Sequence, residues 1–328
     1  MTRPLVVVLG ASGYVGSVVT GLLARRPVRL RAVARGSYEP PEQAVADVEV
    51  VPADLTDRAR LAEAVAGADA VLHFVKSSGS WRDAERDPAG SAAVTVGVMR
   101  DLVDVLGARP EPPLVVFAGA ASQVGRPPDR PLDGSEPDEP DTEYDRQKLA
   151  AERVLLDATA AGAVRGVSLR LPTVFGHSAL GAADDVGVVS AMTRRALRGE
   201  PITMWHDGTV ARDVTYVEDV AAAFLAALDR PDALVGRHWL VGAGRGDRLG
   251  DVFRLVARSV ARHTGEPPVE VVSVPPPAGA PDTDFLGVFI DPEPFGRACG
   301  WSARVPLAEA VDRTVSALLT REATRVRT

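Results

Sequence analysis

Tyr144 and Lys148 stand four residues apart in the stretch EYDRQKLAAERVL, and of 37 lysines and arginines only Lys76 and Lys148 are lysine. A lysine kept in so arginine-biased a chain is informative. Its ammonium is compact and its pKa can be shifted, whereas a guanidinium is planar and stays charged. On a helix, positions i and i+4 share a face, so the pair would present a phenol and an ammonium to one cavity. A free phenol has a pKa of about 10, a neighbouring cation lowers it, and a phenol so placed can pass a proton near neutral pH. By itself the spacing also fits an ordinary helix with a half-buried tyrosine and a solvated lysine. The other end of the chain decides between the two.

RPLVVVLG is too short for a membrane span or a signal peptide and reads as a buried strand. It runs into Gly10, Ala11, Ser12, Gly13, Tyr14, Val15 and Gly16, and then into the apolar-periodic VGSVVTGLLARRP. Strand, glycine turn and helix in that order let the backbone approach a pyrophosphate, whose charge rests on the helix N-terminus. The spacing is GxxGxxG rather than the more general GxGxxG, and in this context it points to a dinucleotide. The next strand, VRLRAVARG, ends at Arg35, Gly36 and Ser37, and the first acid, Glu39, lies beyond it. An NAD site usually places an acid there for the ribose hydroxyls, and an arginine suits a 2′-phosphate. Arg35 with Ser37 therefore favours NADPH/NADP over NAD, the alternative being a surface arginine.

These residues need a scaffold. VEVVPADLTD, DAVLHFVKSSG, LVVFAGAASQVG and GVSLRLPTVFG read as further strands, separated by helical segments such as DRARLAEAVAGA. The alternation predicts an α/β protein built on a Rossmann-type doubly wound parallel sheet, with ligands at the carboxyl ends of its strands. A smaller C-terminal α/β substrate-binding lobe follows. The expected division is residues 1–176, with 206–242 returning to that domain, and a mainly substrate-binding 177–328. Lys76-Ser77-Ser78, Ala120-Ala121-Ser122 and Pro172-Thr173-Val174 fall at strand ends.

The glycine turn, the Asp54-Leu55 pair, a serine near the fifth strand end, YxxxK and LRLPTVFG together resemble the extended short-chain dehydrogenase/reductases, the NAD-dependent epimerase/dehydratase family, over essentially the whole chain. AGAASQVG with YDRQKLAAERVL is similar, more closely, to actinomycete reductases of dTDP-4-keto-6-deoxyhexoses in antibiotic deoxysugar biosynthesis. The resemblance implies that Tyr144 protonates a carbonyl oxygen while Lys148 holds the nicotinamide ribose and depresses the Tyr144 pKa. It places Asp54 and Leu55 at the adenine, with Phe74, Val75 and Pro172 also against the cofactor. It places Arg212 on the diphosphate of a dTDP-linked keto-deoxysugar, with Arg195 a weaker candidate, and Ser77, Trp81, Thr173 and His177 toward the substrate. His206 is a further pocket candidate. The family's hydroxyl that orients the carbonyl falls on Ala120, so either Ser122, two residues later, performs that task or another group does. Lys76 stands where relatives have a small residue. It could stabilise the developing alkoxide or bind the sugar; alternatively its stem packs on Trp81 and its ammonium is solvated.

Two other functions fit the same fold: an epimerase or dehydratase with tightly held NAD, and an NADP(H) sensor without chemistry. Arg35 and the absence of an Asp-Glu pair at Ala121-Ser122 argue against the first, and intact Tyr144 and Lys148 against the second. With 328 residues, a mean hydropathy of +0.03 and no long apolar run, the chain reads as a soluble, cytoplasmic, two-lobed protein without a membrane span. A net charge of −7 argues against nucleic acid. The single Cys299 excludes an internal disulfide, and the five histidines lack metal-ligand spacing. A homodimer is possible by resemblance alone. The Pro- and acid-rich segment 126–141 reads as a solvated surface excursion, with a border of the site entrance as the alternative.

Overall fold

The computed structural model describes residues 3–36, 43–77, 81–178, 185, 187–205, 207–276 and 285–325. The chain begins with β1 (Leu5–Leu9), α1 (Tyr14–Leu23), β2 (Arg29–Ala34), β3 (Asp47–Pro52), α2 (Arg58–Val65) and β4 (Ala70–His73). Next come α3 (Trp81–Arg86), α4 (Pro88–Ala92), α5 (Val98–Gly107), β5 (Leu114–Ala120), α6 (Glu143–Ala160) and β6 (Arg165–Leu171). They are followed by β7 (Thr173–Phe175), α7 (Val188–Leu197), β8 (Ile202–Trp205), β9 (Ala211–Arg212), β10 (Val214–Tyr216), α8 (Val217–Asp229) and β11 (His238–Leu240). The chain closes with β12 (Asp247–Arg248), α9 (Leu249–Thr264), β13 (Val271–Val274), α10 (Glu293–Cys299) and α11 (Leu307–Arg325).

Every residue of β1 is buried, which its unbroken apolar run requires, because a parallel strand at the middle of a sheet is covered on both faces. Seven strands lie in the order β11-β6-β5-β4-β1-β2-β3, all parallel. Side chains alternate between the faces. Leu5, Val7 and Leu9 join Val71, Val115 and Phe117 beneath Leu61 of α2, Leu102 of α5 and Leu155 of α6. Val6 and Val8 join Leu72, Val116 and Ala118 beneath Val19 of α1 and Phe224 of α8. Each of these valine, leucine and phenylalanine side chains contributes roughly 1.5–3 kcal/mol by leaving water.

The strand order reverses at β1, which lies between β4 and β2. A crevice opens at such a reversal, outside the carboxyl ends of the strands. The second core gathers Phe175, Ile202, Val214, Tyr216, Phe253, Val256 and Val311 around α7, α9 and α11, and Tyr14, Val15 and Val18 of α1 pack against it. That contact ties the glycine turn to the second core.

The segment 126–141 is mostly exposed, as its composition suggests, but it is pinned to the protein at two points. Leu132 is 1% exposed and pairs with Ile290 in an isolated bridge. Asp138 forms two hydrogen bonds, of 2.7 and 3.0 Å, with the buried Arg170. One apolar side chain and one carboxylate with a buried partner hold the segment down while the prolines and acids around them face water. Among the described residues no helix is long and apolar enough to cross a membrane, and no cluster of His, Cys, Asp or Glu could hold a metal ion.

Candidate active site

Gly10 leaves β1 at a φ of +85°, a left-handed value that favours glycine. Its N–H and that of Ala11 both bond the carbonyl of Val33, at 2.9 and 3.0 Å. A Cβ on Gly16 would lie 2.2 Å from the Gly10 carbonyl oxygen, so any larger residue there would break the turn. Gly13 caps α1 without a side-chain acceptor, and the first turn of the helix carries no acid. A pyrophosphate is the kind of group this cradle fits: the backbone is bare, and the positive helix end meets no carboxylate of its own turn. The Gly10 and Gly13 N–H groups are taken by the Val33 and Gly10 carbonyls, so these glycines give the close approach, and Ser12, Tyr14, Val15 and Gly16 would hold it through backbone N–H groups, since the Tyr14 and Val15 side chains turn into the second core.

Arg35 follows the last residue of β2 and is exposed; its charge contributes to lowering the pKa of Asp54 at the end of β3. The larger cause is Thr56, whose N–H and hydroxyl bond the Asp54 carboxylate at 3.0 and 2.7 Å. Asp54 thus holds its own turn, and Leu55 is buried beneath it. Ser37 and Glu39 lie outside the described residues. On the other side of β1, the chain leaving β4 presses on the glycine turn: a Cβ on Gly10 would sit 3.3 Å from the Phe74 backbone and 3.4 Å from that of Val75. The Phe74 ring packs on Phe224 at 4.5 Å.

Thr142 caps α6 by accepting the Asp145 N–H at 3.2 Å, and acids in the first turn complement the helix dipole. Tyr144 therefore stands at the helix start and Lys148 one turn on. The Lys148 side chain is buried; its Nζ donates to the Ala118 carbonyl at 2.7 Å and lies 4.7 Å from the Phe117 ring centre and 5.9 Å from that of Tyr144. Burial first, and the charge of Lys76 second, lower the Lys148 pKa to about 7. Tyr144 moves the other way. Burial, and then the neighbouring carboxylate of Asp145, raise it well above an ordinary phenol. The expectation that Lys148 depresses the Tyr144 pKa is therefore corrected here: the lysine itself is desolvated and only partly charged near neutral pH, so burial of the phenol dominates.

Beneath the pair lies His73, fully buried, with Nδ1 accepting the Val75 N–H at 3.2 Å and Nε2 without a partner among the described residues. Burial and then Lys148 lower its pKa to about 3. It is a neutral wall of the site, consistent with reading it as packed rather than catalytic.

The hydroxyl expected to orient a carbonyl is turned elsewhere. Ser122 Oγ donates to Asp145 Oδ1 at 2.5 Å, and Asp145 Oδ2 accepts the Thr142 hydroxyl at 2.6 Å. Asp145 is 6% exposed and its pKa is raised by burial. Sequence reasoning missed Asp145, because an acid in a first helical turn reads as a partner for the dipole. The only signal was its position beside Tyr144. Ala120 is buried, and its N–H is held by Gln123 Oε1 at 2.8 Å.

On the substrate side, Pro172 separates β6 from β7, where Thr173 pairs with Val214. Arg212 is half-buried in β9, which pairs with β12, and its guanidinium donates to the Leu286 carbonyl. Arg195 instead closes its own helix end, with Nε on the Pro201 carbonyl at 3.0 Å and Nη1 3.5 Å from Glu200. Terminal carbonyls without helical partners attract a cation there. The partners it shows lie in the turn that follows its own helix. His177 is half-buried next to Ser178, which bonds Ser17 at 2.6 Å. Ser77 is half-buried and accepts from Lys76 through its carbonyl. Trp81 opens α3, but its side chain, like Ser78 and His206, lies outside the described residues.

A model of the NAD dependent epimerase/dehydratase family matches residues 6–242. The chain is 30% identical over 304 residues to a UDP-glucose 4-epimerase of Azospirillum brasilense, covering 81% of this chain and 82% of that protein. It is 28% identical over 322 residues to the dTDP-6-deoxy-L-talose 4-dehydrogenase (NAD(P)(+)) of Kitasatospora kifunensis, covering 93% of each. The structure of a UDP-glucose 4-epimerase from Thermotoga maritima with UDP-glucose superimposes with a TM-score of 0.83 at 23% identity, over 97% of this chain and 99% of that one.

Proposed function

Because the chain belongs to the NAD dependent epimerase/dehydratase family, we propose that it uses NADPH to reduce the 4-keto group of a dTDP-linked 4-keto-6-deoxyhexose. The observation that carries this reading is the pair on α6 of a half-buried Tyr144 and a buried Lys148, the latter bonded to β5 near its carboxyl end, with Arg35 at the end of β2. The full-length likeness to a dTDP-6-deoxy-L-talose 4-dehydrogenase supports the substrate class.

A nicotinamide bound by these residues would supply hydride, two electrons, to the carbonyl carbon. The protein supplies the rest. Tyr144 keeps its proton well above neutral pH, so it is an acid available to the carbonyl oxygen rather than a standing phenolate. Lys148, with a pKa of about 7, can hold or release a proton beside it and return that proton to the phenol. Addition of hydride to carbon and of one proton to oxygen gives the alcohol and leaves the oxidised cofactor to be exchanged. Arg35 is suited to a 2′-phosphate.

An epimerase reading draws on the UDP-glucose 4-epimerases among the relatives. It differs in one observable: an epimerase returns the hydride to its own substrate and retains NAD⁺. The test follows absorbance of NADPH, with NADH in parallel, after adding enzyme to a dTDP-4-keto-6-deoxyhexose. The expected result is oxidation of NADPH, lost by about 10²–10⁴-fold in Tyr144→Phe, as removal of a general acid requires. No oxidation of either cofactor, with NAD⁺ co-purifying, would replace this reading by the epimerase.

A further inference from the structure

Tyr144 is the second residue of α6, and helix ends fray. A proton donor placed there needs more than its own helix to hold it, because a misplacement of about 1 Å can cost on the order of 10²-fold in rate. Two side chains tie this end of α6 to the carboxyl end of β5. The inner one is Lys148, whose Nζ donates to the Ala118 carbonyl at 2.7 Å. The outer one is Asp145, three residues back and therefore its neighbour on the helix surface. Its Oδ1 accepts from the Ser122 hydroxyl at 2.5 Å, just past the end of β5. Tyr144 lies one residue beyond this outer contact.

Asp145 engages the helix cap as well. Its Oδ2 accepts from the Thr142 hydroxyl at 2.6 Å, and the same oxygen of Thr142 accepts the Asp145 N–H at 3.2 Å. Ser122 and Thr142 stand at the two ends of the long connection from β5 to α6, so one buried carboxylate closes its neck. The arrangement also limits what Ser122 can do. Its proton is given to Asp145, and an oxygen left with lone pairs alone can accept a hydrogen bond but cannot donate one to a carbonyl.

We propose that Asp145 is a positioning residue: it clasps the Ser122 and Thr142 hydroxyls, fixes the first turn of α6 against the end of β5, and so holds the Tyr144 phenol at the reacting carbonyl. This rests on the carbonyl-reduction reading above. In this role Asp145 exchanges no proton with the substrate, and Ser122 acts on Tyr144 only through Asp145.

A double-mutant cycle in the NADPH assay tests it. Ser122→Ala is expected to lower kcat about tenfold and Asp145→Ala about 10²-fold, the scale of a small misplacement, with KM for the ketosugar little changed. The double variant is expected to be no slower than Asp145→Ala, because Ser122 has no separate task. Losses that multiply would make Ser122 a carbonyl donor in its own right and overturn the proposal. Wild-type kcat in Ser122→Ala, or a loss confined to KM, would overturn it too. Asp145→Asn keeps the shape of the side chain and one acceptor oxygen, and it takes the place of Asp145→Ala in the cycle if that variant does not fold. Hydrogen exchange read by mass spectrometry needs no substrate. Ser122→Ala is expected to speed exchange over residues 143–147 about tenfold, the effect of losing one hydrogen bond to a charged group, and to leave the second half of α6 unchanged. Unaltered exchange in that first turn would remove the clasp. If the wild-type enzyme reduces no ketosugar, the ketoreductase reading fails on its own, and the exchange rates decide for or against the clasp.

Discussion

Arg170 of β6 and Lys148 of α6 are both buried cations, the first paired with Glu152 one helical turn on from the second, and the protein handles them in opposite ways. Arg170 is 3% exposed. It donates to both oxygens of Asp138, and Glu152 accepts from its Nε at 3.1 Å and its Nη2 at 2.5 Å. Ser168 adds a hydroxyl to Glu152 at 2.6 Å. Burial alone would lower the Arg170 pKa, but the hydrogen bonds to Glu152 and Asp138 prevail and raise it. Lys148 is buried as deeply, yet the partner its ammonium shows is one neutral carbonyl, and its pKa falls to about 7. A buried charge whose nitrogens all meet carboxylates is an anchor; here it straps the segment 126–141 to β6. A buried charge left short of carboxylate partners is held near its titration point, where it can exchange protons.

Removing each cation should therefore have effects of opposite kind. Arg170→Met leaves two carboxylates, Glu152 fully buried and Asp138 partly so, without their partner. The expected cost is about 3–5 kcal/mol of unfolding free energy by urea titration, the range for breaking a buried pair. Turnover per folded molecule is expected to persist, because Arg170 touches no reacting group. Lys148→Met should do the reverse: kcat/KM falls at least about 10²-fold, while stability at pH 7 and below is unchanged or improved. The sign follows from linkage. With a folded pKa near 7 against about 10.4 unfolded, the unfolded chain binds more protons between those values. Wild-type stability contributed by Lys148 thus rises with pH through that window, and below it the folded state carries the full penalty of a buried cation. A large loss of stability in Lys148→Met would erase the contrast.

The contrast also explains what could be read in advance. The sheet was legible because β1, β4 and β5 are continuous apolar runs set between turn residues, and periodicity is what sequence shows best. Gly10, Gly13 and Gly16 were legible because the turn leaves room for nothing larger at Gly16. Tyr144 and Lys148 were legible as a spacing, but the direction of the Tyr144 shift was not, since it depends on how deeply α6 buries its first turn. The pairing of Arg170 with Glu152 and Asp138 spans three segments, 18 and 32 residues apart in sequence. In a chain with so many arginines and acids nothing local marks these three as partners. The same holds for Ser122 and Asp145, which meet across the whole excursion between β5 and α6.

His73 offers the finest test of how an uncompensated site behaves. Its ring meets Phe117 edge-on at 5.5 Å, it lies within the field of Lys148, and its folded pKa is about 3. An unfolded histidine titrates near 6.5. Between those values the unfolded chain binds the extra proton, so the His73 contribution to stability is lost as pH falls, at up to about 1.4 kcal/mol per pH unit. Asp145, Asp185 and Asp213 have pKa values raised by burial and push the other way, gaining stability on acidification. Only a difference between variants isolates the histidine. His73→Phe should cost about 1 kcal/mol at pH 7.5, by leaving the Val75 N–H without its acceptor. That deficit should shrink as pH is lowered to 5, read from urea midpoints at the two values. In a Lys148→Met background the repelling charge is gone and the His73 pKa rises, so the shrinkage still begins near the unfolded value of about 6.5 but levels off at a higher pH and is smaller in total, read by carrying the series down to pH 3. If the deficit ignores Lys148, the two residues do not share a field, and the low pKa of His73 belongs to burial alone.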